Sequence, residues 1–493
     1  MRVLVGLLLV QSAVAQEPLG LRDAIARSLR DNRDLAREAI NVSVADANIV
    51  AAEGPFDFVV GARAGYDRSL FGQNVFVPNL ATAAQDDFLP VFVIANRNVL
   101  SYGADVSRHL ATGGDLTLGF QSSRSDTTGS VQNVDFGQLS YDSELTLTLR
   151  QPLLRGFGST VAERDMRRAE VGRSAAGWRR AARAADMLRD LVRGYWEVAF
   201  AARDLETRTG ALDLARKQLE LTRAEIGAGR LAPVDSLAVE RTIAEREEQV
   251  VIAENTLLAR SIDLRRLMGM PLDAATQPFH PTDAPSVNPT PPAVGPELQA
   301  ALSGSPSLRA VRADGQVRRI DVEVARNLER PDLNFAGSIG RGDAAQDQYS
   351  EAVGFEEWVG SAGLVFSYPI GNNSAEAAAT IAVKERERAE ITVKDLEENI
   401  SGTVIRLTAD VRAAAKRIEV TRVGARLAEQ NLTAEQARFS VGKVRNQDVL
   451  ERQDELRAAQ AREVRAAVDY LSATAALEAA TGKILDRYGV APR

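Results

Sequence analysis

Several segments of this chain alternate between apolar and polar residues with the two-residue period of a β-strand. Within residues 141–150, Leu145, Leu147 and Leu149 alternate with threonine and arginine. Successive side chains of a strand point to opposite faces, so such a segment has one apolar and one polar face. The alternation predicts strands within 55–153 and at 331–341 and 357–369. The residues assigned to the apolar faces are Phe56, Phe58, Val60, Tyr66, Leu145, Leu147, Leu149, Phe335, Leu364 and Phe366.

Helical periodicity follows each group of strands. Apolar residues recur every three or four positions from Leu188 to Leu205, and the next in the series is Leu212, seven positions on across Thr209. They recur every seven positions from Ile243 to Leu264, with a second seam beside this heptad. Two adjacent seams form an apolar stripe wide enough for a neighbour on each side of the helix. At about 1.5 Å per residue, the first long helix would measure roughly 100 Å, which no compact domain accommodates. The pattern predicts shorter helices at 19–53 and 306–329, and coiled-coil helices at 158–228, 233–269, 374–441 and 446–482.

The chain is internally duplicated. The stretch "GRLAPVDSLAVE" at 229–240 matches "GKVRNQDVLERQ" at 442–453, and Pro152 in "LRQPLL" corresponds to Pro369 in "FSYPIG". Each half therefore reads as helix, strands, proline turn, long helix, glycine hairpin and long helix. Prolines concentrate between the halves, which marks a linker. The predicted division is a first structural repeat at 16–270, a proline-rich linker at 271–296 and a second structural repeat at 297–485.

The first residues have the features of an export signal. Arg2 supplies the positive charge, residues 3–10 are apolar, and Ala13-Val14-Ala15 forms a small-residue cleavage site. We therefore expect residues 1–15 to be a signal peptide. No later segment reaches the roughly 18 consecutive apolar residues of a membrane helix. An exported chain of this kind is either soluble outside the cytoplasm or crosses an outer membrane as strands.

Composition removes several classes of function. The formal net charge is −7, and no basic patch with interleaved aromatic residues is present, so nucleic acid is not expected as a partner. The chain has no cysteine, which excludes disulfides, thiolate metal ligands and N-terminal lipidation. His109 and His280 have no carboxylates at metal-ligand spacing. We expect no metal, no cofactor and no catalytic residue, and hence no enzyme.

The strands fit either a half-buried soluble sheet or a transmembrane barrel. Eleven of the 15 phenylalanines lie within 55–153 and 331–371. The loops favour the barrel, because 111–114 is a tight turn whereas 70–100, 124–140 and 342–356 are predicted as long loops. Two strands per half are too few to close a barrel, and open edges are not tolerated in lipid. Closure therefore requires several copies of the chain. Whether 101–123 adds strands to the barrel is left open at this point.

Three motifs in this order resemble the TolC-like outer-membrane efflux proteins (outer membrane factors). They are "QPLLRG" at 151–156, "FSVGKVRNQDVL" at 439–450 and "AATGKIL" at 479–485, and the resemblance covers nearly the whole chain after the signal. It implies a mixed α+β membrane protein, a homotrimer with a 12-strand β-barrel in the outer membrane. A 12-helix α-helical barrel then extends into the periplasm, where it meets an adaptor (membrane fusion protein) and an inner-membrane transporter.

The function expected from this resemblance is a passive exit duct of a tripartite efflux or type I secretion system. The alternatives are an exported coiled-coil structural protein and a periplasmic adaptor, both without channel activity. Neither alternative needs a lipid-facing surface, so the aromatic strands count against both. The cargo, the identity of the pump and the open or closed resting state are not specified by the sequence.

The resemblance also assigns roles to the glycine hairpins and to one stretch before the second hairpin. Asp235 and Asp448 lie where a carboxylate complements the N–H groups of a helix start. The candidate periplasmic gate is Thr433, Glu435 and Gln436, where some family members carry acidic residues. The candidate adaptor-docking tips are Gly229, Arg230, Leu231, Ala232, Asp235, Gly442, Lys443, Val444, Arg445 and Asp448.

Overall fold

A computed structural model describes residues 17–78, 88–131, 134–229, 232–274, 276–285, 287–346, 348–441, 443–444 and 446–490. The signal peptide expected at 1–15 lies outside these residues. The chain divides into two units, and each takes segments from both halves of the sequence. The helical unit comprises the described parts of Met1–Val44, Ser174–Ala313 and Ile391–Arg493. The sheet unit comprises those of Ala45–Arg173 and Asp314–Glu390.

The described residues contain eight strands and eleven α-helices. The strands are β1 (Glu17–Leu19), β2 (Val59–Pro78), β3 (Phe88–His109), β4 (Asp115–Val131), β5 (Val134–Pro152), β6 (Phe279–Pro281), β7 (Asp332–Gln346) and β8 (Glu357–Ser367). The helices are α1 (Leu21–Asp31), α2 (Arg33–Glu53), α3 (Ser159–Ala162), α4 (Arg164–Gly227), α5 (Asp235–Leu267), α6 (Val294–Gly304), α7 (Pro306–Leu328), α8 (Tyr349–Ala352), α9 (Asn373–Ser440), α10 (Asn446–Thr481) and α11 (Lys483–Arg487). In this part of the chain, no helix combines the length and the apolar character needed to cross a membrane.

The single helix expected at 19–53 is broken into α1 and α2 at Asn32. Asn32 has an extended backbone, with φ −67° and ψ 124°. Its Oδ1 accepts hydrogen bonds from the backbone N–H groups of Asp34 (2.9 Å) and Leu35 (3.1 Å), which caps the start of α2. Its Nδ2 donates to the carbonyl oxygen of Leu267 at 2.8 Å. The break depends on this tertiary contact, which the helical periodicity of the sequence does not contain.

Two of the loops expected from the sequence are mostly strand. β2 extends to Pro78 and β3 starts at Phe88, so 70–100 is not a long loop. Likewise, 124–140 is occupied by the ends of β4 and β5. In 70–100 apolar residues such as Val91, Phe92, Val93 and Ile94 follow one another, and 124–140 is mostly polar or glycine, so neither stretch alternates clearly. Antiparallel pairing satisfies the backbone groups of both stretches regardless of side chain. The segment 342–356 contains the end of β7 and the short helix α8.

The sheet unit is built on one six-stranded antiparallel sheet, with the strand order β2-β3-β4-β5-β7-β8. The hairpin β3–β4 contains residues 101–123 and lies inside this order, between β2 and β5. The register places one row of directly opposed residues across the sheet: Val60, Val106, Leu118, Leu147 and Ile339. The adjacent row on the other face is Gly61, Asp105, Gly119, Thr146 and Gly340. One face is therefore apolar and the other polar.

Two of the aromatic residues assigned to the apolar face precede the strand. Phe56 lies in a 3₁₀ turn at Gly54–Phe56, so its assignment to a strand is wrong. Its ring centroid is 5.5 Å from that of His109. Phe58 comes just before β2, and the guanidinium carbon of Arg108 lies 4.7 Å from the centre of its ring. Pro55 ends the preceding helix and shortens the strand, an effect that the alternation alone does not reveal.

Two apolar clusters hold the helical unit together. The larger packs Leu188, Leu191, Tyr195 and Val198 of α4 against residues that include Leu264 near the end of α5. The smaller packs α9 against α10 and α6 and contains Val404, Val411, Ala415, Ile418, Tyr470 and Leu477. Of the two apolar seams predicted on α5, only the one that contains Leu257 and Leu264 has residues buried within the chain. Val251, in the second seam, is 63% exposed in the single chain.

The linker is tied to the start of the described chain. β6 pairs in parallel with β1, and Phe279 is fully buried. The hydroxyl of Tyr195, which is also fully buried, lies 2.7 Å from Asp283 Oδ2 and 3.1 Å from the carbonyl oxygen of Leu19. Burial raises the pKa of Tyr195. The backbone N–H of Leu21 donates to Asp283 at 2.8 Å and, together with Tyr195, holds the pKa of that carboxyl below its ordinary value.

Removing the Tyr195 hydroxyl should loosen this connection. We expect Tyr195→Phe to lower the free energy of unfolding by about 1 kcal/mol, the usual net contribution of a buried hydrogen bond, with a lower thermal midpoint in detergent. Tyr195→Phe, Asp283→Ala and the double mutant form a cycle that isolates the pair. Additive effects would show that the pair contributes nothing. Because the pKa of Asp283 is lowered, its contribution should persist above the ordinary carboxyl range and disappear only as the pH falls through the lowered value.

Candidate channel and docking surfaces

The apolar face of the sheet is exposed over a broad area. Val60, Leu147, Ile339, Leu364 and Phe366 are each between 41% and 75% exposed. A soluble protein rarely leaves so many large apolar side chains in contact with water on one continuous face. The strand register places on this face every residue that was predicted for it, except Phe56 and Phe58. The arrangement fits contact with lipid.

The connection between β7 and β8 covers one part of this apolar face. The ring of Tyr349 in α8 lies 5.6 Å from that of Tyr141 and 6.4 Å from that of Tyr102. Phe355, which follows α8, meets Phe120 edge to face at 6.2 Å. These aromatic contacts were not predicted from the sequence. They reduce the area of the apolar face that is exposed.

Charged and hydroxyl side chains pair with one another across the polar face. Arg63 lies 3.6 Å from Asp105 and donates through Nη2 to Gln121 at 3.0 Å. Arg97 donates to the hydroxyl of Ser125 at 3.0 Å. These partners come from β2, β3 and β4, so the face is polar across neighbouring strands rather than on one strand alone.

The first glycine hairpin joins α4 to α5. Gly229 follows α4 with φ +71°, a conformation that is cheap only for glycine and for a few small polar residues. A Cβ atom placed on Gly229 would meet nothing within 4 Å, so the constraint is in the backbone and not in packing. Ala232 is exposed and Asp235 is the first residue of α5. Arg230, Leu231 and the side chain of Asp235 lie outside what the structure describes.

The second hairpin joins α9 to α10. The backbone N–H of Lys443 donates to the carbonyl oxygen of Arg438 at 3.0 Å, which closes the end of α9. Lys443 is exposed and Val444 is half-buried. Asp448 lies in the first turn of α10. Gly442 and Arg445 lie outside the described residues.

The three candidate gate residues do not share one environment. Thr433 donates back to the carbonyl oxygen of Glu429 at 3.0 Å and is exposed, as is Gln436. The side chain of Glu435 is only 15% exposed and lies 3.5 Å from Arg438. Thr433 and Gln436 are therefore the two of the three that are accessible on the surface of the single chain.

Ion pairs between the helices of the two halves were missed by the sequence analysis. Arg465 of α10 makes a bidentate contact with Glu197 of α4, at 2.9 and 3.0 Å. Arg246 of α5 lies 3.0 Å from Asp454 of α10. The exposed pair Arg246–Asp454 contributes little to stability, whereas Arg465–Glu197 is partly buried. In both, the paired geometry fixes which helices lie side by side. The two residues of each pair are more than 200 positions apart in the sequence, so no local sequence pattern predicts the pair.

Comparison with known proteins gives a relative and a family. The cobalt-zinc-cadmium resistance protein CzcC of Cupriavidus metallidurans is 24% identical over 397 residues, which cover 76% of this chain and 89% of that protein. A family model described as outer membrane efflux protein matches residues 115–270 and 298–483. Together they confirm the TolC-like resemblance drawn from the motifs.

Solved structures show the same fold. The outer-membrane channel OprN superimposes with a TM-score of 0.63 at 16% identity, covering 94% of this chain and 89% of its own. CusC gives 0.62 at 13% identity, with 94% and 91% covered. The outer membrane protein VceC of Vibrio cholerae gives 0.60 at 17% identity, with 94% and 96% covered. Because the family match extends over both halves and more than half of the residues, this chain belongs to the outer membrane efflux protein family.

Proposed function

We propose that the chain is one protomer of a homotrimeric exit duct that crosses the outer membrane and extends into the periplasm. The observation that carries this proposal is the six-stranded sheet, which is apolar on one face, polar on the other and unpaired at β2 and β8 among the described residues. Such a sheet buries its apolar face in lipid and satisfies its edges by pairing with other copies. A structural coiled-coil protein or a soluble adaptor has no use for that face.

The helices supply the periplasmic part of the duct. α4 with α5 and α9 with α10 are the two hairpins, and Val251 leaves an apolar seam of α5 exposed in the single chain. We propose that helices of neighbouring copies cover such seams and complete an α-helical barrel. The hairpin tips at 229–235 and 442–448 then meet a periplasmic adaptor, which links the duct to an inner-membrane transporter. Thr433 and Gln436 are the proposed pore-facing residues before the second tip.

Divalent metal ions are the first cargo class to test, because the relative CzcC is named for cobalt, zinc and cadmium resistance. Among the described residues, no group of three or more histidine, aspartate or glutamate side chains is placed to hold a metal ion. We propose that the duct conducts without coordinating its cargo and that the pump selects it.

The experiment that tests this function combines location, assembly and transport. The protein should fractionate with outer membranes, migrate as a detergent-resistant trimer before heating, and restore zinc or cadmium tolerance together with its pump and adaptor. A soluble monomer would refute the proposal. A membrane trimer that restores tolerance to organic compounds but not to metals would keep the duct and change the cargo.

A charge on the lipid face should disrupt assembly. We expect Leu147→Arg to cost about 2–4 kcal/mol near the middle of the bilayer and to reduce the fraction of detergent-resistant trimer. Thr148→Arg is the matched control, because Thr148 is the next residue, is exposed and lies on the polar face. Equal losses from both substitutions would contradict the assignment of the two faces.

The turn at Gly229 should be needed for docking rather than for assembly. A branched side chain at φ +71° costs roughly 1–2 kcal/mol, whereas asparagine tolerates this region. We therefore expect Gly229→Val to weaken adaptor binding in a pull-down several-fold, and Gly229→Asn to bind almost normally, while both remain trimeric. Normal binding by Gly229→Val would remove this tip from the docking surface.

A further inference from the structure

The number of strands in each copy sets the size of the closed barrel. The sheet has six strands, whereas the 12-strand barrel that the family resemblance implies needs only four from each of three copies. Relative to the strand pair that the sequence predicts for the first half, the two additional strands are β3 and β4. They are inserted between β2 and β5, which belong to the strand pair expected in the first half of the chain.

The side-chain pattern of β3 and β4 is that of a membrane wall. Val106 and Leu118 continue the apolar row that joins Val60 to Leu147. On the other face Asp105 pairs with Arg63 of β2, which extends the polar surface over the insertion. A hairpin folded outside a barrel would not need to match both faces of the strands on either side.

The turn of this hairpin is locked at one end of the sheet. The backbone N–H of Gly158 donates to the carbonyl oxygen of Thr112 at 3.0 Å, and the hydroxyl of Thr112 donates to Gln151 at 2.7 Å. Gly113 lies so close to Gly156 that a Cβ atom on Gly113 would be 2.3 Å from the carbonyl oxygen of Gly156. The same end of β5 leads into α3 and α4, so the hairpin turn is part of the strand-to-helix junction.

The direction of the edge strands permits closure with further copies. Neighbouring strands are antiparallel throughout, and the number of strands is even, so β2 and β8 run in opposite directions. Placing β8 of one copy beside β2 of the next therefore continues the antiparallel order. A hairpin insertion preserves this property, whereas a single added strand would force a parallel junction.

We infer that the β3–β4 hairpin widens the membrane barrel, and that three copies of the six-stranded sheet close an 18-strand barrel. This inference rests on the proposed function, which supplies the trimer and the membrane. Barrel diameter grows roughly in proportion to strand number, so the barrel is about 1.5 times as wide as one of 12 strands. Barrels of roughly 16 to 18 strands enclose an aqueous channel. The membrane part of the duct then leaves room for hydrated cargo.

Engineered disulfides can test which strands are neighbours in the assembled wall, because the natural chain has no cysteine. Val59, Ser107, Thr117 and Thr148 are directly opposed in one row on the polar face. We expect the pairs V59C/S107C and T117C/T148C to cross-link in outer membranes. In the same preparation, V59C should fail to cross-link with a cysteine at Thr146, Thr148 or Arg150. Two intervening strands separate them by about 14 Å, beyond the roughly 7 Å limit of a disulfide.

A second set of pairs counts the copies. A cysteine at Ser361 on β8, combined with one at an odd-numbered position from 59 to 69 on β2, should form disulfides between copies. The ladder on a non-reducing gel should end at the covalent trimer. Each single cysteine variant is its control and should remain monomeric on that gel.

The outcomes separate this inference from the proposed function. Cross-links from Val59 to β5 would show that β3–β4 lies outside the wall, which overturns the 18-strand barrel and keeps the duct. A ladder that ends at any number other than three, or no cross-link at any edge position, would also overturn it. If the protein is not found in the outer membrane, the proposed function itself fails.

Discussion

The constraint on which the sheet unit depends is that backbone N–H and C=O groups cannot remain unpaired in lipid. Inside the sheet, antiparallel pairing satisfies them from β2 through to β8. At the two edges, β2 and β8, the described residues contain no strand that could pair with their outer sides. The apolar face and the open edges are therefore linked. The apolar face favours contact with lipid, and lipid is the environment in which an unpaired strand edge is most costly. In the proposed duct, pairing with other copies is what completes the fold of this sheet.

The helices show the same incompleteness in a milder form. Leu257 and Leu264 of α5 are buried within the chain, while Val251 of the adjacent seam is exposed. Exposing a valine to water costs little free energy, so a helix with one exposed apolar seam is stable without a neighbour. An unpaired strand edge in a membrane is not. The sequence predicted a stripe wide enough for two neighbours, and the structure shows one side of that stripe occupied.

The parts of the fold that follow from local pattern could be predicted from the sequence. The alternation of Leu145, Leu147 and Leu149 gave the face of β5 correctly, and the long helices follow from their three-and-four spacing. The outer parts of β2 and β3 were missed because apolar residues, such as the consecutive Phe92 and Val93, occupy both of their faces, so no alternation remained to detect. The break at Asn32 depends on the carbonyl of Leu267, and the pair Glu197–Arg465 joins distant segments. Neither contact has a local signature.

The polar face of the sheet has a chemistry suited to passage rather than retention. Two of its arginines are engaged by neighbours, Arg63 by Asp105 and Gln121, and Arg97 by Ser125. A charge that is already partnered offers a passing solute less than a free one, because binding it would first require breaking the existing contact. Conduction needs sites that are favourable enough to enter and weak enough to leave. In the proposed 18-strand barrel, β3 and β4 enlarge the lining with paired charges and hydroxyls. The greater width and the weak binding of such a wall would both favour passage of cargo.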